Sequence, residues 1–210
     1  MAGRDQVRAA NPAAVKLTYD DFVLFPDDGK RHELIDGEHY VTPSPNTKHQ
    51  TIAGTLHGLI WIWLQAHPIG RLFHAPYDVI FSEFDVVEPD LLYLSNERAA
   101  QVITPLHAKG VPELVVEIAS KGTRKRDETI KRRLYERVGV SEYWGVDPEI
   151  DAVRIYRREN ERFGRPGYQP VHLLAQHHEH DAVTELFRAA DVCVVTSLHG
   201  LGEEGGKSDT

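Results

Sequence analysis

Leu114-Val115-Val116-Glu117-Ile118-Ala119-Ser120 is a short apolar run with one carboxylate in its middle. It follows Gly110-Val111-Pro112, a turn, so it reads as a strand buried on both faces. An ionised carboxylate in such a place is costly unless a raised pKa, a cation or a metal compensates it. The competing reading is an edge strand with Glu117 in water.

The neighbours of this run weigh against the edge. Upstream, Val87-Glu88-Pro89-Asp90-Leu91-Leu92-Tyr93-Leu94 predicts a second strand with an acid at its head. If the two strands are adjacent, Asp90 and Glu117 converge to within about 6 Å, the reach of two ligands on one hard cation. Downstream, Thr123 can cap a helix running to Val138. At about 100° per residue, Ile130, Leu134 and Val138 define its buried stripe, and Asp127 and Lys131 fall inside that stripe. They are spaced to pair with each other. An inward ion pair gains little over apolar residues of the same size, so a polar site shared with Glu117 is the sharper reading.

Composition bounds the rest. The 210 residues suit one domain with a substantial core, 41% hydrophobic and 27% charged. A single cysteine, Cys193, allows no intrachain disulfide and no cysteine-based zinc site, which fits a reducing cytosol. No run has transmembrane length and residues 1–16 carry no signal-peptide core, so a cytoplasmic protein with no membrane partner is expected. The net charge of −8 argues against a general nucleic-acid coating protein. A local basic stripe can still serve an enzyme acting on phosphodiesters. Lys121, Arg124, Lys125, Arg126, Lys131, Arg132 and Arg133 offer one, although such runs are usually a solvated helix face.

Along the chain, residues 1–16 form a loose arm, 17–198 the domain and 199–210 a disordered tail. Thr18 caps a short helix through Asp20, Asp21, Phe22 and Leu24. Arg31 to Val41 forms two strands about Asp36-Gly37, a strong hairpin signal. Thr47 to Ala66 is an amphipathic helix with Ile52, Leu56, Leu59, Ile60, Trp63 and Leu64 on one stripe. His49 shares that stripe, as a satisfied core-edge histidine or a site residue. Strands follow near Arg71–His74 and Asp78–Phe81, and Asn96 to His107 is irregular with a helical turn. Glu142–Asp147 and Val153–Arg157 form a hairpin, with weaker strands at Tyr168–Leu174 and Val183–Phe187. His177-His178-Glu179-His180 fits a polar loop better than a metal site. No phosphate-cradling glycine loop, nucleophile elbow or zinc helix is present in the sequence.

Pro89-Asp90, then Glu117 in a hydrophobic strand, then a lysine resembles the PD-(D/E)XK nuclease signature. Four segments more specifically resemble the Uma-two family of restriction-endonuclease-type proteins. They are Glu33 to Glu38 with Pro43-Ser44-Pro45 and His49; Pro89-Asp90-Leu91; Val116 to Ser120 with Thr123-Arg124 and Asp127; and Lys131 to Tyr135 running into Gly139 to Pro148. The resemblance covers roughly residues 18 to 160. It implies an α/β fold with a mixed, curved central sheet flanked by helices, preceded by a helix and hairpin. It also implies metal-dependent phosphodiester hydrolysis, most simply of DNA, with Mg²⁺ or Mn²⁺ held by Asp90, Glu117 and the carbonyl of Ile118. Glu33 would be the additional acid and His49 would line the site. The position two after Glu117, where the nuclease pattern has lysine, is Ala119. The role would then pass to Lys131, with Lys121 as the competitor. Two strands to be cut call for two sites, so a homodimer fits this reading. The missing lysine at 119 and the acidic net charge leave a non-catalytic binding protein with the same fold as the alternative.

Overall fold

Asp36 and Gly37 turn the chain between β1 (Arg31–Ile35) and β2 (Glu38–Thr42), which pair antiparallel, with φ of 53° and 76° at the two turn residues. A Cβ on Gly37 would stand 2.6 Å from that of Lys16, so glycine is required by both conformation and space. The structure is a computed structural model that describes residues 15–42, 44–120 and 127–169, the side chains of Asp127 and Gln169 excepted. Before the hairpin, α1 (Tyr19–Phe22) is one turn, shorter than the pattern predicts. The Asp21 carboxylate closes it by accepting from the Thr18 amide and hydroxyl.

The fold is α/β with mixed sheets flanked by helices, and the described strands divide into two sheets. The first runs β2-β1-β5-β4-β7, adding β4 (Val79–Ser82), β5 (Asp85–Val87) and β7 (Ala108–Lys109). The second contains β3 (Gly70–His74), β6 (Leu91–Ser95), β8 (Leu114–Ile118), β9 (Glu142–Asp147), β10 (Ala152–Glu159), β11 (Arg162–Phe163) and β12 (Gly167–Gln169). Its order is β11-β10-β9-β8-β6-β3, with β12 also on β10. Only β8 and β9 pair parallel in it among the described strands.

Val87 to Leu94 is not a single strand: β5 ends at Val87, β6 begins at Leu91, and they belong to different sheets. Pro89 has no N–H to extend a ladder, so the chain leaves one sheet there and enters the other. Glu88 and Asp90 therefore stand at the junction of the two sheets. Asn96 to His107 holds more helix than expected, α3 (Asn96–Val102), capped by the Ser95 hydroxyl accepting from the Arg98 amide.

All five residues of β8 are buried, which removes the edge-strand reading. On one face, Ile52, Leu56, Ile60 and Leu64 of α2 (Thr47–Ala66) pack on Leu91, Leu114, Val116, Ile118 and Trp144. On the other, Leu134 and Tyr135 of α4 (Arg132–Val138) pack with Leu92, Val115, Tyr143 and the first sheet's Val79 and Val87. Alternation along β8 puts Glu117 on that second face with Val115. Among the described residues no helix is long and apolar enough to cross a membrane. Residues 1–14, Lys121, Arg124, Lys125, Arg126, the His177–His180 run, the Val183–Phe187 strand and the 199–210 tail lie outside the described residues.

Candidate active site

Lys131 closes a π-helical turn, Asp127–Lys131, that leads into α4. Such turns are rare and recur at functional sites. Residues 131, 134 and 135 share one helix face, so Lys131 enters the core beside Leu134 and Tyr135. Its ammonium donates to Glu117 Oε1 at 2.8 Å and lies 2.7 Å from Glu33 Oε1. Glu33, Glu117 and Lys131 are each at most 4% exposed. A buried lysine between two carboxylates is the compensation that the sequence of β8 demands.

Two more groups define this centre. The Tyr135 hydroxyl donates to Glu117 Oε1 at 2.5 Å. Burial, then the charges of Glu117 and Glu33, push Tyr135 well above the usual phenol range, so it stays a neutral donor. Glu33 also accepts from the Thr42 hydroxyl and from the Glu88 amide, which ties the hairpin to the sheet junction.

Asp90 stands one residue beyond the Leu91–Val116 pair, as does Glu117 on the other strand. Its Oδ2 accepts from the Ile118 amide at 2.8 Å and lies 3.1 Å from His49 Nε2, while its Oδ1 accepts from Arg31 Nη1 at 3.0 Å. Burial pushes this carboxyl up, but His49, Arg31 and the Ile118 amide outweigh it and hold Asp90 at about 2. His49 is fixed by its place at the start of α2, where the Asn46 side chain accepts from its amide.

Arg31 and Glu88 are the site residues that sequence reasoning missed, along with Tyr135. Two of them carried a periodicity signal: Arg31 lies two before Glu33 on one strand face and Tyr135 four after Lys131, whereas Glu88 stands at the break between β5 and β6. Arg31 Nε is 3.5 Å from Glu88 Oε1, an ion pair too long for a hydrogen bond, and both atoms are buried with no hydrogen-bond partner. The guanidinium also feels the charge of Glu117. Burial, with the neighbouring charges of Asp78 and Glu33, lifts Glu88 to about 7 against the pull of Arg31.

The structure thus gathers Glu33, His49, Asp90, Glu117, Ile118 and Lys131 about the sheet junction. The Asp127 side chain lies outside the described residues, as does Lys121. Lys131 does not belong to a solvated basic stripe, whereas Arg133 is exposed and Arg132 lies over the Tyr156 ring. A cleft of about 620 Å³ opens on the Asp90 side, lined by Arg31, Glu88, His49, Lys30, His57 and His74 among others.

The donors suit a hard divalent cation in kind, being carboxylate oxygens. Glu33, Glu88, Asp90 and Glu117 gather four carboxyls around Arg31 and Lys131, with Glu88 lifted to about 7. Glu88 Oε1, buried with no hydrogen-bond partner, is an oxygen open to a further cation. Among the described residues, however, no group of three or more His, Cys, Asp or Glu side chains is arranged as a ready-made metal cage. The carboxylates are closed about Arg31 and Lys131.

A family model described as "Uma2: Putative restriction endonuclease" matches residues 19–194. Among solved structures, a "putative nuclease belonging to DUF820" from Anabaena variabilis aligns with a TM-score of 0.62 at 20% identity, over 83% of this chain and 99% of that one. At that identity the likeness speaks for the fold. No curated protein matches the chain.

Proposed function

Given that the chain belongs to the Uma2 family, described as "Putative restriction endonuclease", we propose that it is a divalent-metal-dependent phosphodiester hydrolase acting on DNA. The observation that carries this reading is the buried Glu33–Lys131–Glu117 set, whose Glu117 lies beyond the Leu91–Val116 pair in register with Asp90, a residue that lines an open cleft. Asp90, Glu117 and the carbonyl of Ile118 would hold Mg²⁺ or Mn²⁺. When bound, such a cation polarises a phosphate and lowers the pKa of water.

The chain's own residues divide the remaining work. Lys131 sets a cationic partner 2.8 Å from the buried Glu117 and so offsets the cost of a charged oxygen donor there. Its ammonium also adds positive charge behind the position where a phosphorane would gather negative charge. Glu33 holds Lys131 from the other side and so prevents it from collapsing onto Glu117 alone. His49 sits at the cleft wall, where it orients Asp90 and faces the substrate side. The cleft sets Lys30, Arg31, His57 and His74 beside Asp27, Glu88 and Asp90, a mixed polar lining that can meet both a cation and a phosphate oxygen.

A second reading is a binding protein that keeps the fold and uses the site structurally. It is favoured by Ala119 at the usual lysine position and by the neutralisation of the carboxylates from within. A supercoiled plasmid separates the two. Nicked or linear product with Mg²⁺ and none with a chelator is the expected result. Intact plasmid under both conditions, at protein in excess of DNA, would leave the binding reading in place.

A further inference from the structure

A guanidinium and a divalent cation seek the same kind of oxygen, and at this site they cannot both have it. Arg31 Nη1 takes Asp90 Oδ1 at 3.0 Å, the outer oxygen of the carboxylate whose other oxygen is already held by Ile118 and His49. Its Nε faces Glu88 Oε1 at 3.5 Å. We propose, resting on the cation reading above, that Arg31 is the resident counter-ion of the site: it holds the place between Glu88 and Asp90 in the metal-free protein and is displaced into the cleft when a divalent cation binds.

Three features single out Arg31 from Lys131 as the group that leaves. The first is its hold, which is partial. Arginine binds carboxylates most strongly as a two-pronged fork, but here one prong is a hydrogen bond and the other is only a long ion pair. The orphaned Nε and Glu88 Oε1 therefore both stand to gain from a change of partner. The second is the exit. The Arg31 side chain is 20% exposed and lines the cleft, whereas Lys131 is 3% exposed and enclosed by two carboxylates and Tyr135. The third is what lies outside. A phosphate entering the cleft offers the planar guanidinium, once freed, the two-oxygen partner that Glu88 and Asp90 deny it.

A consequence follows for selectivity of the response. Because a phosphate favours the released arm and a cation favours the vacated carboxylates, each raises the affinity of the other through Arg31. A protein so built holds metal weakly when alone and more tightly when a polyanion is present. This also accounts for carboxylates of the right kind that do not form a ready-made cage.

Manganese is the probe. The free Mn²⁺ signal in electron paramagnetic resonance gives its affinity for wild type and Arg31→Gln, each checked for a cooperative melt. Removing the competing charge is expected to tighten Mn²⁺ binding about tenfold or more, the scale of one lost charge-assisted contact. Arg31→Lys, which keeps the charge but not the fork, should fall between. Equal or weaker binding by Arg31→Gln overturns the proposal while leaving the cation site standing. Absence of binding by every variant overturns both. Wild-type protein provides a readout free of folding effects: Mn²⁺ should speed phenylglyoxal modification of Arg31, followed by peptide mass spectrometry. An unchanged rate at saturating Mn²⁺ overturns the displacement.

Discussion

Lys131→Met is expected to cost about 3 kcal/mol or more of folding stability, because it strips a buried ion set of its cation. Methionine matches the length and apolar stem of lysine, so packing beside Leu134 and Tyr135 is retained and the loss is electrostatic. Glu33 and Glu117 then face each other across an apolar gap, both almost fully buried. Like charge and desolvation raise both carboxyls, and the folded variant takes up a proton that the unfolded chain does not hold. A group with a raised folded pKa contributes stability at low pH and loses it as pH rises through the raised value. The deficit against wild type should therefore be smaller at about pH 5 and larger at about pH 8. Urea melts at the two pH values check this. A deficit under about 1 kcal/mol that does not change with pH would mean that the Lys131 pairs contribute no more than an exposed ion pair does.

Glu117→Gln is expected to abolish metal-dependent cleavage and to cost far less stability. The amide oxygen of glutamine can still accept from Lys131 and Tyr135, and Lys131 keeps Glu33 as its ionised partner. About 1–2 kcal/mol is the scale of such a change from a charged to a neutral acceptor. Without the negative charge the cation loses one of its two carboxylates. Wild type should gain about 2.7 kcal/mol in Mg²⁺ at a hundred times its dissociation constant, and the variant should gain nothing at the same concentration. Thermal melts with and without Mg²⁺, run beside plasmid nicking, give both quantities. A variant that nicks at the wild-type rate removes Glu117 from the site.

These two substitutions also mark where the sequence was informative and where it was silent. The carboxylate inside an apolar strand and the lysine on a buried helix stripe were each legible alone, because a charge out of phase with its periodicity needs a partner. The hairpin at Asp36-Gly37 and the helix Thr47–Ala66 were legible for the same local reasons, turn chemistry and a regular apolar stripe. The sharing of Lys131 between Glu117 and Glu33 was not. It depends on the first sheet folding over the second, and that is set by the break at Pro89, which one-dimensional pattern smoothed into a single strand. Arg31 and Glu88 were overlooked because alternation assigns a face but not what the face meets. Ile118, expected to serve through its carbonyl, orients Asp90 through its amide. The Asp127 side chain lies outside the described residues.

The most direct measurement is anomalous diffraction from a crystal of the wild-type protein soaked in Mn²⁺. One manganese peak is expected within coordination distance of Asp90 and Glu117, with the Arg31 guanidinium moved off Asp90 into the cleft. No peak at saturating Mn²⁺, with Arg31 still bonded to Asp90, would contradict it.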